Sequence, residues 1–229
     1  MIKDTRETLD NQIRDLNNSI IELSSLVEQA ILDAVRSLVE RDPELAGSTY
    51  EQDNLINENR YKIENRALVT VATQAPLASD LRRLSSIIDI AGELERIGDY
   101  AKGIARITIR LENSPPLQDF PQITRMAEIT ADMLQRAIDA FLKLDEDSAR
   151  AIPREDDQVD ELYNQLYGEL LDTMFHDRNT IDRATFYLWV AHNLERAADR
   201  VTNICERTVF TTSAELIEFD RSDDQDEDF

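Results

Sequence analysis

Two pairs of acidic residues, set 100 positions apart, are the side chains of this chain best suited to bind a ligand or to take part in catalysis. Glu95 and Asp99 lie in the string Leu-Glu-Arg-Ile-Gly-Asp, and Glu195 and Asp199 lie in Leu-Glu-Arg-Ala-Ala-Asp. On a helix, residues four apart share a face, and two like charges there cost about 0.2–0.5 kcal/mol. A bound cation would offset that repulsion. Carboxylate oxygens suit magnesium, manganese, calcium or iron, so the spacing predicts metal sites.

Each pair has a possible partner row on the preceding helix. Asp53 and Asn57 precede the first pair, and Asp156 and Asp160 precede the second. Both rows lie about 20 residues from the turn between their helices, so a rise of about 1.5 Å per residue brings them to one height in an antiparallel hairpin. We call the two predicted sets the first and second acidic sites. They comprise Asp53, Asn57, Glu95 and Asp99, and Asp156, Asp160, Glu195 and Asp199.

A plainer interpretation stays open at this point. Arginines follow both glutamates and could form surface ion pairs, which contribute about 0–1 kcal/mol each. Acids four apart also occur at Asp89 and Glu93, where no site is predicted. His192 precedes Glu195 by three residues, the reverse of the Glu-x-x-His order of di-iron bundles. Cys205 falls on an apolar seam and is expected to pack in the core, and Trp189 is expected in the core or between bundles.

The elements that must position these acids form a repeat. From Ala91 to Ile104, six of fourteen positions recur 100 residues later, and earlier positions align at an offset of 103. Apolar residues follow helical spacing, beginning with a heptad seam from Leu9 to Leu38. No segment shows the alternation of a strand. The predicted fold is all-α: two tandem up-down three-helix bundles related by internal duplication.

Prolines set the predicted boundaries, because proline suits a first helical turn and disrupts an interior one. Six helices are expected, ending or beginning near Pro43, Pro76 and Pro121. The expected helices cover residues up to 41, 43–73, 79–112, 122–144, 147–175 and 181–211. The expected organisation is a first bundle over 1–112, a linker over 113–121, a second bundle over 122–212 and an acidic, disordered tail over 213–229.

Composition narrows the classes of partner. The 229 residues include 47 acids and 25 lysines and arginines, for a net charge of −22. That charge argues against nucleic acid and anionic lipid, which require basic surfaces. The single cysteine suits a reducing compartment. With no signal peptide or long apolar run in view, we expect a cytoplasmic protein with no direct membrane insertion.

Several strings resemble the PhoU family of phosphate-uptake regulators. They are QAPLASDLRRL at 74–84, LERIGD at 94–99 and NICE at 203–206, and the likeness extends over residues 1 to about 212. It implies a non-enzymatic, homodimeric adaptor between a phosphate ABC transporter ATPase and a sensor histidine kinase, which represses uptake when phosphate is plentiful. It also implies that the two acidic sites bind Mg, Mn, Fe or Zn ions.

The chain departs from the family pattern at several positions. Asn57 stands where an acid would serve a metal better, and Tyr100 and Arg200 stand where many members carry histidine. The alternatives are a ferritin-like carboxylate-metal oxidase, against which the missing Glu-x-x-His pairs argue, and a metal-free helical bundle that is accessory to another phosphate permease.

Overall fold

A computed structural model describes residues 2–219, with side chains from residue 6 onward. Helices dominate this range, and no residue within it forms a β-strand. The α-helices are α1 (Ile2–Glu40), α2 (Pro43–Gln74), α3 (Ala78–Leu111), α4 (Pro121–Lys143), α5 (Glu146–Ala151), α6 (Asp156–His176) and α7 (Ile181–Ser213). Short 3-10 turns at Ile152–Glu155 and Arg178–Thr180 precede α6 and α7. The all-α prediction is confirmed.

The helix boundaries follow the capping chemistry of the sequence. The carboxylate of Asp42 accepts hydrogen bonds from the backbone N–H groups of Glu44 and Leu45 at 2.9 and 3.0 Å, with Pro43 in the first turn. Asp145, at an offset of 103 from Asp42, caps α5 in the same way through the N–H of Ser148. The duplication therefore extends to the helix caps.

The predicted fifth helix is not continuous, which corrects the expectation of one helix over 147–175. The chain forms α5, then the 3-10 turn Ile152–Glu155, then α6. Pro153 explains the break, because its ring cannot donate to a helical hydrogen bond and clashes with the carbonyl four residues earlier. As a result Asp156 is the first residue of α6.

Two three-helix bundles share one hydrophobic core. Helices α1, α2 and α3 contact one another, as do α4, α6 and α7, while α3 packs on α7 and α1 packs on α4 across the middle. Helices α2 and α6 lie on the outside, each in contact only with its own bundle. The predicted seam of α1 is confirmed as buried, from Leu9 to Leu38. Because α3 and α7 are inner helices, the acidic rows that they carry border the core.

Helices α3 and α7 run antiparallel and relate the two halves by an approximate two-fold axis. Thr211 Oγ1 donates to Ser86 Oγ at 2.8 Å near one end, and the guanidinium of Arg110 lies over the Phe186 ring at the other. A contact between α3 and α7 also has a counterpart at the position related to it by the two-fold axis. Asn203 donates to Glu93, and its counterpart Gly103 lies against Asn193, the counterpart of Glu93.

The linker between the bundles is anchored from both halves. Arg41 donates to the carbonyl oxygens of Glu112 and Ser114. Arg183 donates to those of Pro115 and Pro116 at 2.8 and 3.2 Å. The irregular segment thus ties the end of α3 to the start of α7.

The beginning of the predicted acidic tail is packed. Ser213 ends α7, and Ile217 and Phe219 lie against the core. The backbone N–H of Phe219 donates to Glu206 Oε1 at 2.9 Å. The rest of the predicted tail, residues 220–229, lies outside the described residues. In the described range, none of the helices has an apolar stretch sufficient to cross a bilayer.

One contact between the outer and the inner helix of each bundle is filled by differently sized side chains in the two halves. A Cβ placed on Gly98 would lie only 3.0 Å from Ile56 Cδ1. The equivalent positions of the second half are Ala198 and Val159, both fully buried. The methyl gained on α7 is therefore matched by a smaller side chain on α6.

This match predicts coupling between Gly98 and Ile56. We expect Ile56→Val to lower the free energy of unfolding by about 1 kcal/mol in the wild-type chain, since it removes a buried methylene. In a Gly98→Ala background the same change should cost nothing or stabilise, because it relieves the contact with the new Cβ. Urea unfolding of the four chains measures the coupling, and strictly additive effects would contradict this packing.

Candidate functional site

The first acidic site is assembled from α2 and α3. Asp53 projects from α2 and is only 2% exposed, whereas on α3 Glu95 is half-buried and Asp99 is exposed. The charge of Asp53 reaches both α3 carboxylates, since it contributes to the pKa shift of each. The structure therefore places Asp53 within electrostatic range of Glu95 and Asp99.

The other polar groups of this site neutralise Asp53. Lys102 Nζ lies 2.6 Å from Asp53 Oδ2, and Asn57 Nδ2 donates to the same oxygen at 2.9 Å. Asp53 Oδ1 is buried, and a hydrogen bond between the carboxyl groups of Asp53 and Asp99 contributes to the raised pKa of Asp99. The sequence analysis gave Lys102 no role. Its positive charge three residues after Asp99, absent at Thr202, is the signal that could have identified it.

Burial and mutual repulsion raise the pKa of both α3 carboxylates. For Glu95 the larger cause is burial and the next is the charge of Asp99, opposed by Arg60 and Arg96. For Asp99 burial again comes first, followed by the charge of Asp53, and Lys102 opposes it. Burial thus comes first for both groups, and the repulsion expected from the i,i+4 spacing contributes second, at Glu95.

The second acidic site is assembled from α6 and α7. Asp156 is 8% exposed, and Asp160, Glu195 and Asp199 are half-buried. Burial, followed by the charge of Glu195, raises the pKa of Tyr163 on α6, which places that tyrosine near the α7 row. None of the four acids is without an interaction partner.

His192 lies beside Glu195, with Nδ1 3.3 Å from Oε2. It is exposed, and its counterpart in the first half is Gly92. Across residues 2–219, no three histidine, cysteine, aspartate or glutamate side chains are grouped so that they could hold a metal ion. Metal binding at either acidic site stays a prediction, and the like charges held in each row are the feature that fits a cation.

An open cleft between α3 and α7 adjoins the first site. It encloses about 1,140 Å³ including solvent space, and Glu95 and Asp99 lie on its wall. Two of its other acids are paired across the two helices: Arg207 lies 3.6 Å from Asp89, and Arg200 lies 3.6 Å from Glu93. The cleft therefore presents a polar surface on which acidic side chains outnumber arginines.

Two further predictions concern side chains outside the sites. Cys205 is fully buried, and burial raises its pKa to about 12, so its thiol packs as expected. The expectation for Trp189 is wrong: it is 55% exposed and contacts the edge of Phe186 at 5.8 Å between ring centroids.

Comparison with known proteins places both halves in one family. The PhoU domain matches the chain twice, over residues 20–108 and 123–208. The chain belongs to the PhoU family. The two matched domains coincide with the two bundles and with the duplication seen in the sequence.

Relatives of known name match over nearly the whole chain. A Clostridium acetobutylicum protein named phosphate-specific transport system accessory protein PhoU homolog is 30% identical over 215 residues, covering 93% of this chain and 98% of that protein. The crystal structure of the phosphate transport system regulatory protein PhoU from Streptococcus pneumoniae matches with a TM-score of 0.85 at 31% identity, covering 92% and 100% of the two chains. PhoU from Pseudomonas aeruginosa also matches at 0.85 and 31%, covering 90% and 99%.

The raised pKa of Glu95 predicts a pH-dependent stability. The pKa of Glu95 is higher in the folded state than in the unfolded state, so between these two pKa values the folded state binds more protons. The free energy of unfolding therefore falls as the pH rises through that range. In chelator, we expect Glu95→Gln to melt at a higher temperature than wild type at pH 7, and the difference to vanish below the ordinary glutamate pKa of 4.5.

Thermal unfolding between pH 4 and pH 8 provides the measurement. Glu51→Gln, at an exposed position of α2, is the control for loss of one negative charge. A Glu95→Gln curve that follows the control at every pH would contradict the repulsion.

Proposed function

We propose that this protein is a regulatory accessory of phosphate transport that limits uptake when phosphate is plentiful. The observation that carries the proposal is the match of both bundles to the PhoU domain, together with the common fold of the named PhoU proteins. Relatives that match at 30% identity or better over most of their length bear the name of phosphate-transport accessory proteins.

The proposed mode of action is contact with other proteins and not catalysis. Both histidines are exposed, and the one thiol is buried with a pKa of about 12, which leaves it protonated at neutral pH. The proposed partners are a phosphate ABC transporter ATPase and a sensor histidine kinase. A net charge of −22 favours partner surfaces that carry lysine and arginine.

We further propose that carboxylates of the second acidic site bind a divalent or iron-type cation, with Mg, Mn, Fe and Zn as the candidates. In the second half, Glu195 and Asp199 would hold it with help from Asp156 and Asp160. Bound there, the cation would supply positive charge that offsets repulsion within the row. The protein is also proposed to act in the cytoplasm as a homodimer.

Loss of the gene tests the regulatory role. In cells grown with abundant phosphate, deletion should raise uptake of radioactive phosphate and transcription of the transporter genes, because the proposed repression is removed. Plasmid-borne wild-type protein should restore both. Uptake and transcription that stay at the wild-type level after deletion would contradict the proposed function.

Substitution of the second acidic site tests the metal role. The double change Glu195→Gln and Asp199→Asn keeps the size of the side chains but removes both negative charges. We expect it to lower the amount of manganese retained after dialysis, measured by plasma emission, by about one ion per chain at saturation. The control is Glu161→Gln with Glu169→Gln on exposed positions of α6. Equal retention by the site variant and the control would contradict metal binding there.

A further inference from the structure

Lys102 sits inside the first acidic site as an ammonium group. Its Nζ lies 2.6 Å from Asp53 Oδ2 and 5.3 Å from the centre of the Tyr50 ring. Asp53 is 2% exposed at the side chain, and Lys102 is 31% exposed. A carboxylate buried to this extent requires a positive partner, and the chain itself supplies one.

We infer that the ammonium of Lys102 takes the place of a divalent cation in the first acidic site, so that this half of the protein holds its carboxylates together without metal. The ligand chemistry of Asp53 supports this. Oδ2 already accepts hydrogen bonds from Lys102 and from Asn57. A metal ion at that oxygen would have to displace both donors.

Asn57 strengthens the inference, because compared with an acid at this position it removes a negative charge and adds a hydrogen-bond donor. It directs its amide nitrogen at Asp53, 2.9 Å away, and so donates a hydrogen bond where an acid would offer a further metal ligand. The first site therefore carries one acid fewer than the second and one lysine more. Both differences reduce the positive charge that a bound ion would need to bring.

The second half has no lysine at the equivalent position. The counterpart of Lys102 is Thr202, whose hydroxyl donates to the carbonyl oxygen of Asp199 at 2.8 Å. The counterpart of Asn57 is Asp160. The same scaffold thus presents one lysine-neutralised site and one site with four acids. The prediction that the second half binds metal rests on the proposed function, whereas the role of Lys102 does not.

The test is a comparison of Lys102→Gln with wild type and with Lys62→Gln. Lys62 lies on α2 and pairs with Glu58 at 3.6 Å, with both side chains about two-thirds exposed, so its loss controls for charge alone. In chelator, we expect Lys102→Gln to lower the melting temperature by about 5–10 °C, because Asp53 is left buried without its cation. The control should shift by less than about 2 °C.

Manganese then separates a cation site from ordinary packing. For Lys102→Gln, saturating Mn²⁺ should restore at least half of the lost melting temperature, and calorimetric titration should show about one more bound ion per chain than wild type. Wild type and Lys62→Gln should bind equal numbers of ions. A Lys102→Gln chain with unchanged stability, or with a loss that Mn²⁺ does not restore and no added ion, overturns the inference.

Two further variants keep the test decisive. If Lys102→Gln is too unstable to purify, adding Asp53→Asn should restore folding, because the buried negative charge is then removed as well; failure to restore it overturns the inference. A Thr202→Lys chain should bind less Mn²⁺ than wild type if the second half binds metal. Wild-type protein that binds no Mn²⁺ while Lys102→Gln binds one would refute the metal part of the proposed function and support the role of Lys102.

Discussion

Like charges held side by side at the border of a hydrophobic core are the constraint on which the rest of this structure depends. The inner helices α3 and α7 pack antiparallel to join the bundles, and the same two helices carry the acidic rows. The rows therefore cannot turn fully to solvent without disturbing the shared core. Burial and repulsion raise the pKa of Glu95 and Asp99, so positive charge is needed nearby.

The duplication shows that the same scaffold meets this need differently in its two halves. The caps, the central antiparallel contact and the placement of the acids recur, as expected for two PhoU domains in one chain. What differs is the local chemistry. Lys102 and Asn57 hold Asp53 in the first half, whereas Thr202 and Asp160 occupy the matching positions in the second. Divergence after duplication is thus concentrated where charge must be balanced.

Much of the fold could be predicted because helix periodicity and proline positions are local signals. The seam of α1 and the start of α2 at Pro43 follow directly from them. The break at Pro153 follows from the same chemistry, because proline disrupts the interior of a helix. The exposure of Trp189 could not be predicted from the sequence, because that exposure depends on how much of the α7 surface is covered by α6 and α3.

The acidic sites were only partly predictable. The equal heights of the rows in the helical hairpin predicted that Asp53 lies near Glu95 and Asp99. They could not show that the Lys102 side chain contacts Asp53 and does not extend into solvent. The most direct test of the account is a crystal grown in Mn²⁺ and measured at the manganese absorption edge. The account predicts an anomalous peak between α6 and α7 near Glu195 and Asp199, with Lys102 still bound to Asp53. A peak at Asp53 with Lys102 displaced would contradict it.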